Sequence, residues 1–263
     1  MAQTQPAGVW GLHAIVNDST GPASSPILLS LLFASGLRPR AAEVAEHAAR
    51  RKTFTVSHRP EGEGDWLELL VNGLTFDLRS LAPAEPAEPF GFVHRFAVQE
   101  ANDIARLEAV TLEPGPHLAG AGAMPPIVRG AAGLAAALAE LPGCVAVGWR
   151  PARTLAGAAH FSRSVESWLA GGAFPALALT ALTRDASGSV LSEGLAFLIG
   201  RELRIEASGA AAAEDAKLAI RLIDMLVESG SNGVPATVEA MPGVSVRLRE
   251  DAARFIQARR DKP

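Results

Sequence analysis

Hydrophobic and polar positions change period several times along the chain, and the changes predict where the elements fall. Alternation with a period of two is clearest around Asn72-Gly73, where Leu74, Phe76 and Leu78 interleave with Thr75, Asp77 and Arg79 after the run Trp66 to Val71. Asn-Gly tolerates positive φ at both central positions of a tight turn, so the two runs are expected to form a β-hairpin. A period near 3.6 marks residues 213 to 229, where Ala216, Ala219, Leu222, Ile223, Leu226 and Val227 take one side. Glu214, Lys217, Arg221, Asp224 and Glu228 take the other, and Gly230 is the expected stop.

Further segments follow from the same rules. Val9 to Val16 is a candidate strand broken by the turn-forming run Asn17 to Pro22, and Ile27 to Phe33 is a strand-length apolar run. Pro39 to Arg51 is an expected helix with proline in its first turn, followed by a short strand over Thr53 to His58. Leu81 to Pro89 carries prolines at 83, 86 and 89, which suits a connector. Gln99 to Asp103 is a candidate helical turn, Ala105 to Leu112 a strand, and Pro114 to Pro126 a long loop able to carry a binding site.

The densest apolar stretch lies between Gly143 and Ala207. Its pattern predicts a strand over Cys144 to Trp149 after a helix over Ala131 to Leu141, and then a helix over Ala158 to Ala170. In that second helix Phe161, Val165, Trp168 and Leu169 face inward, while His160, Arg163, Ser164 and Ser167 face outward. Three strands are expected next, with Leu177, Leu179, Leu195, Phe197, Leu203 and Ile205 in the core. Strands over Val234 to Ala240 and Val244 to Arg249 and a charged helix over Glu250 to Arg260 complete the chain.

The fold class this implies is α+β. Leu67 to Leu78 around Asn72-Gly73 echoes Leu195 to Ile205 around Gly200-Arg201, and each follows β, α, β, so two β-α-β-β-β-like modules with mixed or antiparallel sheets covered by helices are expected. The boundary falls at the prolines, giving modules 1–89 and 90–263, with one continuous mixed sheet as the rival arrangement.

Composition narrows the function classes. The 263 residues are 48% hydrophobic and 20% charged, a globular balance. A net charge of -4 speaks against nucleic acid or an anionic membrane as partner, since both require concentrated positive charge. No apolar stretch approaches the ~20 residues that cross a bilayer, and no leader pattern opens the chain, so a cytoplasmic location is expected. Cys144 is the single cysteine, which excludes an intramolecular disulfide and a multi-thiolate metal site, and its apolar setting suits a small buried hydrophobe.

Motifs with a mechanism are absent: no phosphate loop, nucleophile elbow, HExxH, CxxC or EF-hand loop occurs. Gly62-Glu63-Gly64 and Gly120-Ala121-Gly122 lack the third glycine of a dinucleotide site, having Leu67 and Pro125 in its place. The histidines at 13, 47, 58, 94, 117 and 160 never fall three or four apart, so no helix offers two imidazoles to one metal. No catalytic residue, metal site or cofactor is therefore expected. Four candidates for ligand binding remain. Trp149 and Arg150 sit where a strand gives way to a loop, an indole and a guanidinium able to grip an anion. His160 lies on an outward helix face, and Glu193 is a carboxylate in an apolar surround.

Residues Leu138 to Trp149, Phe174-Pro175-Ala176-Leu177-Ala178-Leu179 and Glu193-Gly194-Leu195-Ala196-Phe197-Leu198-Ile199-Gly200-Arg201-Glu202-Leu203-Arg204-Ile205 resemble a bacterial family, domain of unknown function 4261. The motifs are a helix leading into a strand that ends in an aromatic, a Pro-led strand, and a Gly-Leu signature closed by Glu. The resemblance spans the second half of the chain and implies a bacterial cytoplasmic α+β protein without implying an activity. The expectation is a non-enzymatic binding or interaction protein whose partner is another protein met through a sheet face or edge. The rival is a small-molecule enzyme or ligand-binding protein with a pocket near Trp149, Arg150 and His160, bordered by the loop Gly115 to Pro126.

Overall fold

The computed structural model describes residues 28–61, 64–88, 91–99, 103–118, 120–207, 209, 212–230, 233–251 and 254–261. The candidate strand at Val9 to Val16 and the turn at Asn17 to Pro22 lie outside them. The described residues form an α+β fold with two sheets, as the pattern predicts.

The first half of the chain runs β1 (Leu29–Phe33), α1 (Ala41–Arg51), β2 (Thr55–His58), β3 (Trp66–Val71), β4 (Leu74–Arg79), β5 (His94–Phe96) and β6 (Glu108–Pro114). It continues through α2 (Pro125–Leu138), β7 (Cys144–Trp149), β8 (Thr154–Gly157) and α3 (Ala158–Leu169). Eight strands pair in the order β2-β3-β4-β6-β1-β7-β8-β5, antiparallel except for β5 beside β8. The hairpin forms as expected, with Asn72 at φ 50 and Gly73 at φ 78 between β3 and β4.

One face of this sheet carries Leu29, Leu31, Phe33, Val110, Leu112, Val147 and Trp149, all packed with the helices. Alanine-rich α2 lies close against it: a Cβ at Gly130 would stand 3.2 Å from the Phe76 ring. His47 of α1, buried, and Ser162 of α3 bond the α2 carbonyls of Ala137 and Ala136 at 2.8 and 2.9 Å, tying the three helices together. The other face carries Leu32, Ala109, Ala146 and Leu155, covered by Ala87, Phe92, Val98, Ile104 and Leu107.

That covering overturns the expected module boundary. The proline segment is no linker: Ala87 N–H donates to the Ala109 carbonyl at 3.0 Å, and Arg38 reaches the carbonyls of Ser80 and Ala84 while pairing with Glu108 at 2.8 Å. Strands from both sides of residue 89 share one sheet, so the break between sheets falls after β8 instead.

The second sheet comprises β9 (Ala181–Arg184), β10 (Val190–Glu193), β11 (Glu202–Ile205), β12 (Thr237–Met241), β13 (Val244–Glu250) and β14 (Phe255–Arg260), in the order β12-β13-β14-β11-β10-β9. Helix α6 (Ala212–Ser229) covers it through Leu218, Ala219, Leu222, Ile223 and Leu226. Two short helices, α4 (Ala176–Leu179) and α5 (Leu195–Ile199), occupy segments expected as strands.

In α5 the reason is local. Gly194 at φ 89 and Gly200 at φ 80 turn the chain at both ends, and the Glu202 carboxylate accepts the N–H groups of Gly194, Leu195 and Ala196 at 2.9, 3.2 and 3.1 Å. Those donors are the ones a helix start leaves unpaired, so the apolar run closes into a turn, and the echo of the first hairpin fails. In α4, Pro175 leads into the turn and Thr180 Oγ1 donates to the Ala176 carbonyl at 2.6 Å. Within the expected helix at Glu250 to Arg260, Phe255–Arg260 form strand β14 instead, parallel to β11, because Ile256 and Ala258 bury with a period of two. Helix α2 begins six residues ahead of expectation, with Pro125 and Pro126 in its first turn, where no amide partner is needed.

Candidate functional site

Trp149 and Arg150 part company at the end of β7. The Trp149 indole, last in β7, is fully buried, edge-on to Phe197 at 5.6 Å, while Arg150, which opens the one-turn segment Arg150–Ala152, is exposed. Together they form no pincer. The buried Nε1 of Trp149 has no hydrogen-bond partner among the described residues.

His160 and Glu193 both approach strand β5 without meeting. The His160 ring lies edge-on to Phe96 at 4.7 Å, its Nε2 3.2 Å from Ser164 Oγ; partial burial, with the Arg163 charge nearby, lowers its pKa below the usual imidazole value. Glu193 faces His94, two residues before Phe96. His94 Nε2 donates to Glu193 Oε2 at 2.7 Å, and Arg153 Nε donates to Oε1 at 2.5 Å. The Arg153 hydrogen bond holds the carboxyl below its ordinary range, the His94 bond adds to this, and burial opposes both.

Local structure aims these groups. Arg153 closes the one-turn segment Arg150–Ala152 in a left-handed conformation, φ 49. Gly194 follows Glu193 at a close approach: a Cβ there would stand 2.5 Å from the Ala152 Cβ. With both oxygens of Glu193 occupied, the cluster reads as a bridge between the sheets, a charged carboxylate holding two donors. Comparison with protein families, with curated proteins and with solved structures finds no match to the chain. Among the described residues no group of three His, Cys, Asp or Glu could hold a metal ion, and no helix is long and apolar enough to cross a membrane.

A cleft of about 570 Å³ lies elsewhere, where the helices of the two halves meet. Its walls are the first turns of α2 (Val128, Arg129), Trp168 at the end of α3, the turn Gly171 to Phe174, the end of α5 (Leu198, Ile199) and the polar side of α6 (Arg221, Asp224, Glu228). The Arg129 guanidinium sits 4.6 Å from the Trp168 ring centre, and Trp168 meets Phe174 edge-on at 5.4 Å. Asp224 Oδ1 accepts the Phe174 N–H at 2.7 Å, pinning the turn to α6. Beyond Arg129 a second cleft of about 370 Å³ continues past Gly133 toward Asn72 and Arg51.

None of Trp149, Arg150, His160 and Glu193 lines either cleft. The loop Pro114 to Pro126 contributes Ala123 and Pro125 to the larger one. Arg221, Asp224 and Glu228 recur at i, i+3 and i+7 on the side of α6 that its amphipathic pattern assigns to water. That spacing was the available signal, and only the helix opposite turns it into a wall.

Proposed function

We propose that the protein is a cytoplasmic, non-enzymatic binding protein whose ligand site is the cleft between α2, α3, α5 and α6. The observation that carries this is the lining. A half-buried indole, apolar residues from three helices and two guanidinium groups border a volume of about 570 Å³, within the ~300–1,000 Å³ of small-molecule sites. These groups recognise by stacking, contact and charge. The wall is also fixed in advance, because Asp224 anchors the Phe174 turn and Arg129 stacks on Trp168, which lowers the ordering cost of binding. Chemical-shift mapping with a fragment library tests the reading: perturbations should gather on Val128, Trp168, Phe174 and Leu198, and a scatter over the surface would count against it.

A second reading, a protein partner taking the edge strand β5, is supported by Val93 and Phe96, exposed at 54% and 36% beside exposed Arg95. Its test is whether a partner captured by the native chain is lost from a Phe96→Lys variant.

A further inference from the structure

We infer that the cleft between α2 and α6 takes a small zwitterion, a molecule carrying a carboxylate and an ammonium on an aromatic or branched apolar body, as an amino acid does; this rests on the cleft being the ligand site. Four charged side chains line it, two of each sign: Arg129 and Arg221, Asp224 and Glu228. They do not neutralise one another. Among the described residues, Arg221 and Glu228 make no ion pair and Arg129 has only the Trp168 face. Asp224 spends Oδ1 on the Phe174 N–H, and no described group bonds Oδ2.

The positions of these charges carry the argument. On α6, Arg221 and Asp224 stand three positions apart and Glu228 lies one turn further, so cation and anions lie along one wall in sequence. A carboxylate matches the planar donor fork of Arg221, with Arg129 opposite, and a bidentate pair of this kind is stronger than a neutral hydrogen bond. An ammonium matches Glu228 and the second oxygen of Asp224. Trp168, Phe174, Leu198 and Ile199 line the same cleft, a surface for the ligand's apolar body. A simple anion would leave the two carboxylates facing it, and a simple cation the two guanidiniums, at a cost in either case.

Calorimetric titration of the full chain with three probes tests this: L-phenylalanine, L-phenylalaninamide, which lacks the carboxylate, and 3-phenylpropanoate, which lacks the ammonium. Phenylalanine should bind, and each analogue at least about tenfold more weakly. Arg221→Ala should weaken phenylalanine and spare the amide, and Glu228→Gln should weaken phenylalanine and spare the propanoate. Both positions are exposed on α6, so the variants should fold, and an unchanged circular dichroism melt checks it. Equal affinity for all three probes, with shifts mapping to the cleft, would overturn the zwitterion and leave the ligand site standing. Absence of binding by all three would overturn the zwitterion, and a fragment library that also leaves the cleft unperturbed would remove the site itself.

Discussion

Glu193 and His94 stand 2.7 Å apart although 99 residues separate them, and their hydrogen bond joins β10 of the second sheet to β5, the outermost strand of the first. With Arg153 on its other oxygen, Glu193 is one polar fastening of a seam that also holds the buried bond from Thr154 Oγ1 to the Ala178 carbonyl at 2.8 Å, and the Gly194 approach to Ala152. The fold's two halves are thus joined at this seam, and helices of both line the cleft of about 570 Å³.

Glu193→Gln should lower stability by about 1 kcal/mol at neutral pH, since the carboxylate is partly exposed and its bonds are screened. The folded pKa is depressed, so the contribution is complete above the unfolded value of ~4.3 and disappears as pH falls through the folded pKa. Urea midpoints of the native chain and the variant should differ at pH ~7 and converge as the pH falls through the folded pKa. A gap that stays constant with pH would show that the charge plays no part.

Asp215, 2% exposed, lies in the first turns of α6 between Arg184 of β9 and Arg260 of β14, each at 3.2 Å. Removing it leaves guanidinium charge without its buried partner, so Asp215→Ala should cost about 3–5 kcal/mol by chemical denaturation. Asp215→Asn, which keeps an acceptor, should cost less.

Two glycines at the ends of α5 make a matched pair. Gly194 and Gly200 share positive φ, but an added Cβ meets Ala152 at 2.5 Å in the first and nothing within 4 Å in the second. Gly200→Ala should lose about 1 kcal/mol from backbone strain alone. Gly194→Ala should lose a further ~1–3 kcal/mol from overpacking, read as the difference between the two denaturation curves. Equal losses would contradict the close approach.

Cys144 keeps some solvent contact, yet burial pushes its thiol up to about 12. Only the thiolate reacts, so labelling by a disulfide reagent at pH ~8 should be slow in the folded chain and become fast on unfolding in urea. Rapid labelling of the folded protein would place the thiol in the open.

Local periodicity was enough for the β3-β4 hairpin, for β7 and for α3 and α6, because each carries a full pattern of its own. It failed where a distant group decided the outcome. Leu195 to Ile199 is apolar and strand-length, and only the Glu202 carboxylate on its first N–H groups turns it into a helix. Phe255 to Arg260 is charged enough to suggest a surface helix, and pairing with β11 makes it a strand. The candidate residues fared the same way. Glu193 does hold a specific arrangement, but its partners His94 and Arg153 are remote in sequence, and Trp149 belongs to the core. The cleft residues look like solvated positions until α2 and α6 are placed opposite each other, which no local pattern encodes.

The cleft between α2 and α6 is proposed to receive the ligand. Crystals soaked with a fragment library test it most directly: bound molecules should collect against Trp168 and Phe174, between Arg129 and the α6 residues Arg221 and Glu228. Density that gathers at the Glu193–His94 seam or along β5, with the cleft holding water alone, would contradict it.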